Sequence, residues 1–544
     1  MSAPLLQVDR LRIALPAGAD RSHALFDLSL TLQAGEMLCV VGESGSGKSM
    51  LASALLRLLP AGLAIERGSV HFAGTDVAGL DARGLRALRG GQIGMVFQEP
   101  MTALNPLLRV GVQIDETLRA HGVKGAAERR QRVIELLGYV GLPNPQAVRR
   151  RFAFQLSGGQ RQRVAIAMAL AFSPRLLIAD EPTSALDVTT QAQIIELLQR
   201  IRRERGMAVV FITHDLGLVQ AIADQVLVLE EGRVIEQGPA RGVLGAPAQA
   251  YTRQLLAAAL NTSPTRPPAA PGPVVLAAHG LHKTFSHRQG WRRQHTAALA
   301  DVGVTLQRGQ TLGVVGESGS GKSTLGRTLI RLLRPDSGQV QWLGQEVGAL
   351  SQRRLRPLRS QVQMIFQDPV ASLNPRHTVA QILMAGPLAH GASRQQARAR
   401  AEQVLEWVGL SGAALERYPQ AFSGGQRQRI GIARALTLEP QVLIADECVS
   451  ALDALIQVQI LELLEALQRR LGLSIVFITH DLRAAARLCD HLMVMHQGRV
   501  VEQGPTAALL RAPAHAYTRT LLASLPGPAL VDDAPASIRR LEAR

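Results

Sequence analysis

Residues 35–59 read GEMLCVVGESGSGKSMLASALLRLL, and the order of residue types in this stretch decides the fold. Met37–Val41 is short, apolar and unbroken, as expected of a strand covered on both faces of a parallel sheet. After Lys48 the leucines recur at helical spacing. Between strand and helix, Gly42, Glu43, Ser44, Gly45, Ser46, Gly47, Lys48 and Ser49 fit the pattern GxxxxGK[ST]. Glycines let backbone N–H groups turn inward around phosphate oxygens, and the helix that begins here, with Met50 in its first turn, adds a favourable dipole. Lys48 supplies a compact positive charge for the β and γ phosphates, and Ser49 a hydroxyl for a magnesium ion. A bare match also describes ordinary glycine-rich turns. The flanking strand and helix separate this loop from them.

The same eight residues return as Gly316, Glu317, Ser318, Gly319, Ser320, Gly321, Lys322 and Ser323, followed by Thr324. Three further segments also recur: SGGQRQR at 157–163 and 423–429, FITHDL at 211–216 and 477–482, and AYTR at 250–253 and 516–519. These three pairs share one offset, and the phosphate loops lie slightly further apart. Two tandem homologous domains explain the pattern. The reading assigns 1–256 to a first domain, 257–275 to a linker, 276–525 to a second domain and 526–544 to a loose tail. The linker, AAALNTSPTRPPAAPGPVV, is rich in proline and alanine, which favours extended chain over a packed core. Within each copy, strands and helices alternate. The expected class is α/β: two P-loop ATPase domains, each a mostly parallel sheet core with an inserted helical subdomain, near 110–170 and 377–436.

Two further features carry chemistry. The apolar runs Leu176–Ala179 and Val442–Ala445 end in Asp180–Glu181 and Asp446–Glu447, where an α/β sheet places its ligands. Asp180 and Asp446 suit the magnesium shell, and Glu181 and Glu447 suit polarisation of an attacking water. Taken singly, such a pair is more often a solvated strand end; its recurrence at matching places favours the site. His214 and His480 follow the next apolar run, in FITHD. A lone histidine is usually structural, but two at equivalent places beside a γ-phosphate pocket favour a polarising contact. The chain has only four lysines, Lys48, Lys124, Lys283 and Lys322, against many arginines, so lysine in both loops indicates that a guanidinium is not acceptable there.

On these residues the chain resembles the ATP-binding cassette (ABC) family over nearly all of both halves. LSGGQ at 156–160 and FSGGQ at 422–426 look like its signature motif, a more specific mark than the phosphate loop. Gln98 and Gln367 match the family's Q-loop glutamine, and SALD at 184–187 and 450–453 its D-loop. The resemblance implies ATP and Mg2+ as cofactors, with Gln98 and Gln367 joining Ser49, Asp180, Ser323 and Asp446 around the metal. It also implies intramolecular head-to-tail pairing of the domains, with two ATP molecules between them. Lys48 would then face Ser423, Gly424, Gly425 and Gln426, and Lys322 would face Ser157, Gly158, Gly159 and Gln160. Two competent sites are expected, since both halves keep the glutamate and the histidine. The family's adenine-stacking aromatic matches Phe285 in the second half, whereas the first offers only Leu15, so weaker stacking is expected there.

A narrower likeness comes from FQEPMTALNP (97–106), FQDPVASLNP (366–375), YTRQLL and YTRTLL, which are similar to the importer subfamily for dipeptides, oligopeptides, glutathione and nickel, including its fused double-domain members. It implies two polytopic permease subunits and an extracytoplasmic solute-binding protein as partners, with the helical inserts receiving a short helix from each permease. It places the chain peripherally on the cytoplasmic face of the bacterial inner (plasma) membrane. This sequence departs from the subfamily in lacking clustered cysteines near the C-terminus, and Cys448 stands where the first half has Pro182.

The bulk properties set limits. An apolar share of 47% with 19% charge is globular. Cys39, Cys448 and Cys489 form no CxxC, which fits a reducing compartment. The N-terminus lacks the pattern of an export signal, and no apolar run reaches the length of a membrane span. The net charge of +17 invites a nucleic-acid reading, but aromatics at 3% leave few stacking platforms, and no nucleic acid is expected. The alternative from another class is a soluble double-cassette ATPase acting on ribosomes or nucleic acid. Such proteins join their domains by a long charged helix, whereas 257–275 holds a single charge, Arg266. An exporter has no specific support.

Overall fold

The computed structural model describes residues 3–16, 21–98, 103–183, 186–260, 272–289, 292–368, 372–450 and 452–524. Most of the expected linker, the tail 526–544, parts of both segments after the Q-loop glutamines, and Ser184, Ala185 and Ala451 of the D-loop motifs lie outside the described residues. The chain divides into two compact units near residue 261.

The first unit contains β1 (Leu6–Ala14), β2 (His23–Leu32), β3 (Met37–Val41), β4 (Ile65–Phe72), β5 (Thr75–Asp76), β6 (Ile93–Val96), β7 (Leu176–Asp180), β8 (Ala208–Ile212), β9 (Gln225–Glu230) and β10 (Arg233–Pro239). Six of these form a sheet in the order β10-β9-β3-β8-β7-β6, parallel except for the β9–β10 edge. Every residue of β3, β7 and β8 is buried, because the sheet is covered on both faces. Alternate side chains feed two cores. Met37, Cys39, Leu177, Ala179, Val209 and Phe211 join the core that includes the helical insert. Leu38, Val40, Leu176, Ile178, Val210 and Ile212 join the core under the helix Lys48–Leu55 and a second, antiparallel sheet, β2-β1-β4-β5. The insert itself comprises Val110–Ala120, Ala126–Tyr139, Pro145–Val148 and Gly158–Ala169, between β6 and β7.

The second unit repeats this plan with β11 (Val274–Gln289), β12 (Arg292–Gln307), β13 (Thr311–Val315), β14 (Ser337–Trp342), β15 (Gln345–Glu346), β16 (Val362–Ile365), β17 (Val442–Asp446), β18 (Ser474–Ile478), β19 (His491–His496) and β20 (Arg499–Pro505). Its six-stranded sheet runs β16-β17-β18-β13-β19-β20, and its antiparallel sheet β12-β11-β14-β15. The insert helices are Val379–Ala389, Arg394–Trp407 and Gly424–Leu436.

Both ends of the expected linker, 257–260 and 272–275, lie within the described residues. The helix Ala250–Leu260 runs through the AAAL of residues 257–260, residues of high helix propensity, and β11 takes in Val274, paired with Gln307. Among the described residues no helix is long and apolar enough to cross a membrane.

Candidate functional site

Each phosphate loop leaves the C-terminal end of a buried parallel strand, β3 or β13, and enters the helix Lys48–Leu55 or Lys322–Leu329. Gly42 and Gly316 have φ of 149° and 150°. A Cβ there would sit 2.1 Å from the Leu229 carbonyl oxygen or 2.2 Å from that of Met495, so only glycine fits. Lys48 Nζ donates to the Gly42 and Glu43 carbonyls at 2.7 and 2.8 Å, and Lys322 Nζ to Gly316 and Glu317 at the same distances. Burial is the chief influence on Lys48 and holds its pKa below the ordinary lysine value, against the pull of Glu181 and Asp180. Both ammonium groups therefore lie curled inside their own loops, within reach of any phosphate the loop wraps. Ser46 and Ser320 are buried, while Ser44, Gly45 and Ser49 are exposed on the loop.

Asp180 and Asp446 end β7 and β17, at 4% and 1% exposure. Ser323 Oγ donates to Asp446 Oδ1 at 3.0 Å. Burial raises the Asp180 carboxyl, the Ser49 hydroxyl lowers it, and the Glu181 charge raises it further; the net direction is upward. The same balance, with Ser323 and Glu447, raises Asp446. Asp180 Oδ1 is buried without a hydrogen-bond partner. A buried, unsatisfied carboxylate oxygen next to a serine hydroxyl suits a hard cation that keeps most of its shell for phosphate and water. Ser49, Asp180 and the Gln98 amide oxygen in one half, and Ser323, Asp446 and Gln367 in the other, therefore fit a magnesium ion.

The residue after each aspartate is strained. Glu181 and Glu447 have φ of 45° and 47°, a region that costs a non-glycine residue on the order of 1–2 kcal/mol. Their N–H groups donate to the Ile212 and Ile478 carbonyls at 2.9 and 2.8 Å, which pins the backbone there. Gln98 Nε2 donates to Glu181 Oε2 at 3.0 Å, and Gln367 Nε2 to Glu447 Oε2 at 2.6 Å. On the other oxygen, His214 Nδ1 lies 3.3 Å from Glu181 Oε1, and His480 Nδ1 3.6 Å from Glu447 Oε1. Burial is the largest single influence and would raise these glutamates, but the histidine beside each, the loop lysine and, at Glu181, the Gln98 amide together hold the carboxyl below the ordinary range. Burial likewise opposes each histidine's charge, and the facing glutamate prevails and raises its pKa. The arrangement keeps an ionised carboxylate, held from two sides, one residue beyond Asp180 or Asp446. Such a group can orient a water and take up its proton.

Ser157 and Ser423 cap the helices Gly158–Ala169 and Gly424–Leu436. In each half the serine hydroxyl accepts from the Gln160 or Gln426 N–H at 3.3 Å, and the glutamine side chain accepts from the serine N–H. A Cβ on Gly159 would meet Thr190 Cγ2 at 2.4 Å, and one on Gly425 would meet Ile456 Cγ2 at 2.7 Å. Gly158 and Gly424 face no such neighbour. The signature is thus a helix N-terminus held to a fixed local geometry by its capping box, at the end of a helix whose dipole favours an anion.

Phe285 is half-buried on β11 opposite Thr296, with Lys283 Nζ 5.9 Å from its ring centre. Leu15 packs against the first unit's core, and its N–H donates to the Ser22 carbonyl. Cys448 is 2% exposed, and burial pushes its thiol up to about 12; it fills core space where Pro182 is buried in the first unit. All three cysteines are buried. The structure thus gathers loop lysine, serine, aspartate, glutamate, glutamine and histidine at the C-terminal ends of neighbouring parallel strands in each unit. The motif spacing did not reveal the tyrosine of each AYTR segment, which also reaches the loop.

Residues 25–184 and 299–450 match the family described as ABC transporter, and residues 501–540 match the oligopeptide/dipeptide transporter C-terminal region. A peptidoglycan transport ATP-binding protein, YejF, of Agrobacterium fabrum is 46% identical over 96% of both chains. The glutathione import ATP-binding protein GsiA of Escherichia coli is 44% identical over 96% of this chain and 89% of its own, and that of Salmonella typhimurium 43% over 96% and 90%. A solved chain described as cbiO1 from Clostridium perfringens, part of an ABC transporter complex, is 31% identical over 45% of this chain and 92% of that one, with a TM-score of 0.39.

Proposed function

The chain belongs to the ABC transporter family as an ATP-hydrolysing importer subunit, and from that premise we propose that it powers uptake of peptides or related small solutes such as glutathione. It works through two separate polytopic permease subunits, with an extracytoplasmic solute-binding protein delivering the cargo, at the cytoplasmic face of the inner membrane. The names of the relatives support the cargo class, and the match at residues 501–540 supports the subfamily.

The observation that carries the catalytic part is the doubled carboxylate pair at the ends of β7 and β17, each held by a Q-loop glutamine and a histidine. Lys48 and Lys322 grip the β and γ phosphates, exchanging loop carbonyls for phosphate oxygens. Ser49, Asp180 and Gln98 in one half, and Ser323, Asp446 and Gln367 in the other, would hold a magnesium ion, whose charge would offset that building on the phosphates. Glu181 and Glu447 orient the attacking water and accept its proton, and His214 and His480 steady the carboxylate and contact the γ-phosphate. The two halves pair head to tail, so Ser423, Gly424, Gly425 and Gln426 complete the Lys48 site and Ser157, Gly158, Gly159 and Gln160 the Lys322 site. Phe285 stacks on adenine in the second site. ATP, bridging both halves, closes the pair and hydrolysis releases it.

Fractionation tests the importer reading. Affinity capture from detergent-solubilised membranes is expected to bring down two polytopic proteins, and vesicles holding the complex are expected to take up short peptides or glutathione when ATP is supplied. Recovery with ribosomes and no membrane partner would overturn it in favour of the soluble double-cassette class.

A further inference from the structure

The heptapeptide Pro247–Arg253, PAQAYTR, returns as Pro513–Arg519, PAHAYTR, at the start of the last helix of each unit. Nothing in the hydrolytic machinery uses it, yet nearly every polar residue in it has a local task. Glu236 on β10 accepts from the Ala248 and Gln249 N–H groups at 2.9 and 3.2 Å, and Glu502 on β20 from Ala514 and His515 at 2.7 and 3.1 Å. Arg253 donates to the Pro247 and Ala248 carbonyls, and Arg519 to Pro513 and Ala514. Thr252 and Thr518 are buried at 2% and 1% exposure. These contacts fix where the helix starts, and so where the tyrosine points.

The tyrosine points at the phosphate loop. Glu43 N–H donates to Tyr251 Oη at 3.3 Å, and Glu317 N–H to Tyr517 Oη at 3.1 Å, contacts that span 208 and 200 residues of sequence. The carbonyl of the same peptide unit, that of Gly42 or Gly316, accepts from Lys48 or Lys322. One peptide plane at the entry of each loop is therefore held at both ends, by the phosphate-binding lysine on its oxygen and by a distant phenol on its nitrogen. Gly42 and Gly316 have the backbone freedom to let that plane rotate, since glycine alone tolerates φ near 150°. Burial is the largest influence on Tyr251 and raises its hydroxyl further above the ordinary tyrosine value.

We propose that Tyr251 and Tyr517 are positioning residues for nucleotide binding: each phenol locks the first peptide of its phosphate loop so that the loop carbonyls present the lysine to the phosphates. This rests on the ATP-binding reading of the loops. When the lysine leaves its carbonyls for phosphate, the phenol is what keeps the plane from turning.

The test is Tyr251→Phe and Tyr517→Phe, singly and together, in the full chain with its permease. Phenylalanine keeps the ring and removes only the hydroxyl. A single hydrogen bond of ordinary strength corresponds to a rise in KM for ATP of about fivefold in the double variant, with kcat at saturating ATP changed less than about twofold. Arg519→Gln loosens the contacts that aim Tyr517, so it is expected to raise KM in the same direction and to add nothing further in the Tyr517→Phe background. If the Tyr→Phe variants lower Tm with unchanged KM, the tyrosines merely buttress the fold and the proposal falls. Binding of a fluorescent ATP analogue to Lys322→Ala separates the two ideas. Loss of one bound analogue there with unchanged affinity in Tyr517→Phe sinks only the tyrosine proposal, whereas full binding to both sites in Lys322→Ala sinks the loop assignment beneath it.

Discussion

Replacing Glu181 and Glu447 together by glutamine is the sharpest perturbation of the proposed chemistry. Glutamine has the same shape and the same cost at positive φ, so the strained turns at 45° and 47° persist. What disappears is the carboxylate charge and one of its two oxygens, of which the Gln367 amide reaches Oε2 at 2.6 Å and the His480 ring approaches Oε1 at 3.6 Å, with the same division at Glu181. A positioned general base contributes about 10²–10⁴ in rate, so turnover should fall at least about 100-fold, equivalent to about 2.7 kcal/mol of barrier. Binding should not fall with it. The Lys48 and Lys322 contacts are untouched, and removing the glutamate charge relieves the repulsion that helps raise Asp180 and Asp446. Phosphate release at saturating ATP gives the rate, and a fluorescent nucleotide analogue gives the affinity. A double variant of normal Tm that keeps a tenth or more of the wild-type turnover would refute the base assignment.

Three other outcomes follow from the same geometry. Lys48→Ala or Lys322→Ala should reduce calorimetric stoichiometry from two nucleotides per chain towards one; two equal sites in either variant would contradict the loop assignment. Gly159→Ala forces a methyl to within 2.4 Å of Thr190 Cγ2 and should cost about 1–3 kcal/mol by overpacking, whereas Gly158→Ala, whose nearest neighbour is Leu186 Cδ2 at 3.5 Å, should melt like the wild type; equal melting of the two variants would contradict the packing. Burial would raise the Glu502 carboxyl, but the adjacent Thr518 hydroxyl and the Ala514 and His515 amides hold it below the ordinary value of 4.5. Its contribution is then present above that pH and lost as the pH falls through the lowered value, so the Tm gap between wild type and Glu502→Gln should close in acid; a gap independent of pH would contradict the cap.

The elements around the loops were legible because their signals are local. GESGSGKS after an apolar strand, and DE at the end of another, state their structure within about ten residues. The antiparallel sheets were not read. Strands such as β1 and β2 break their alternation through register shifts between Val8 and Leu11 and beyond, which erases the period-2 pattern. Composition alone hides that AAAL at 257–260 continues a helix, because alanine is common both there and in the proline-rich run that follows. No sequence rule exposes the positive φ of Glu181 and Glu447, which is imposed by tertiary pairing to Ile212 and Ile478. Likewise, SGGQ can be recognised as a motif, yet its internal division of labour is visible only in space: serine and glutamine close a capping box, and the second glycine clears a neighbouring helix. The AYTR repeat was visible as a repeat, but its reach to a loop 208 residues away was not.

The shared-site claim is tested most directly by vanadate-induced photocleavage of Lys322→Ala protein trapped with magnesium, ADP and vanadate, followed by mapping of the new chain ends. With nucleotide confined to the Lys48 loop, the account expects a cut at Ser423, in the opposite half, with Ser157 intact. A cut at Ser157, or cleavage restricted to the Lys48 loop, would contradict it.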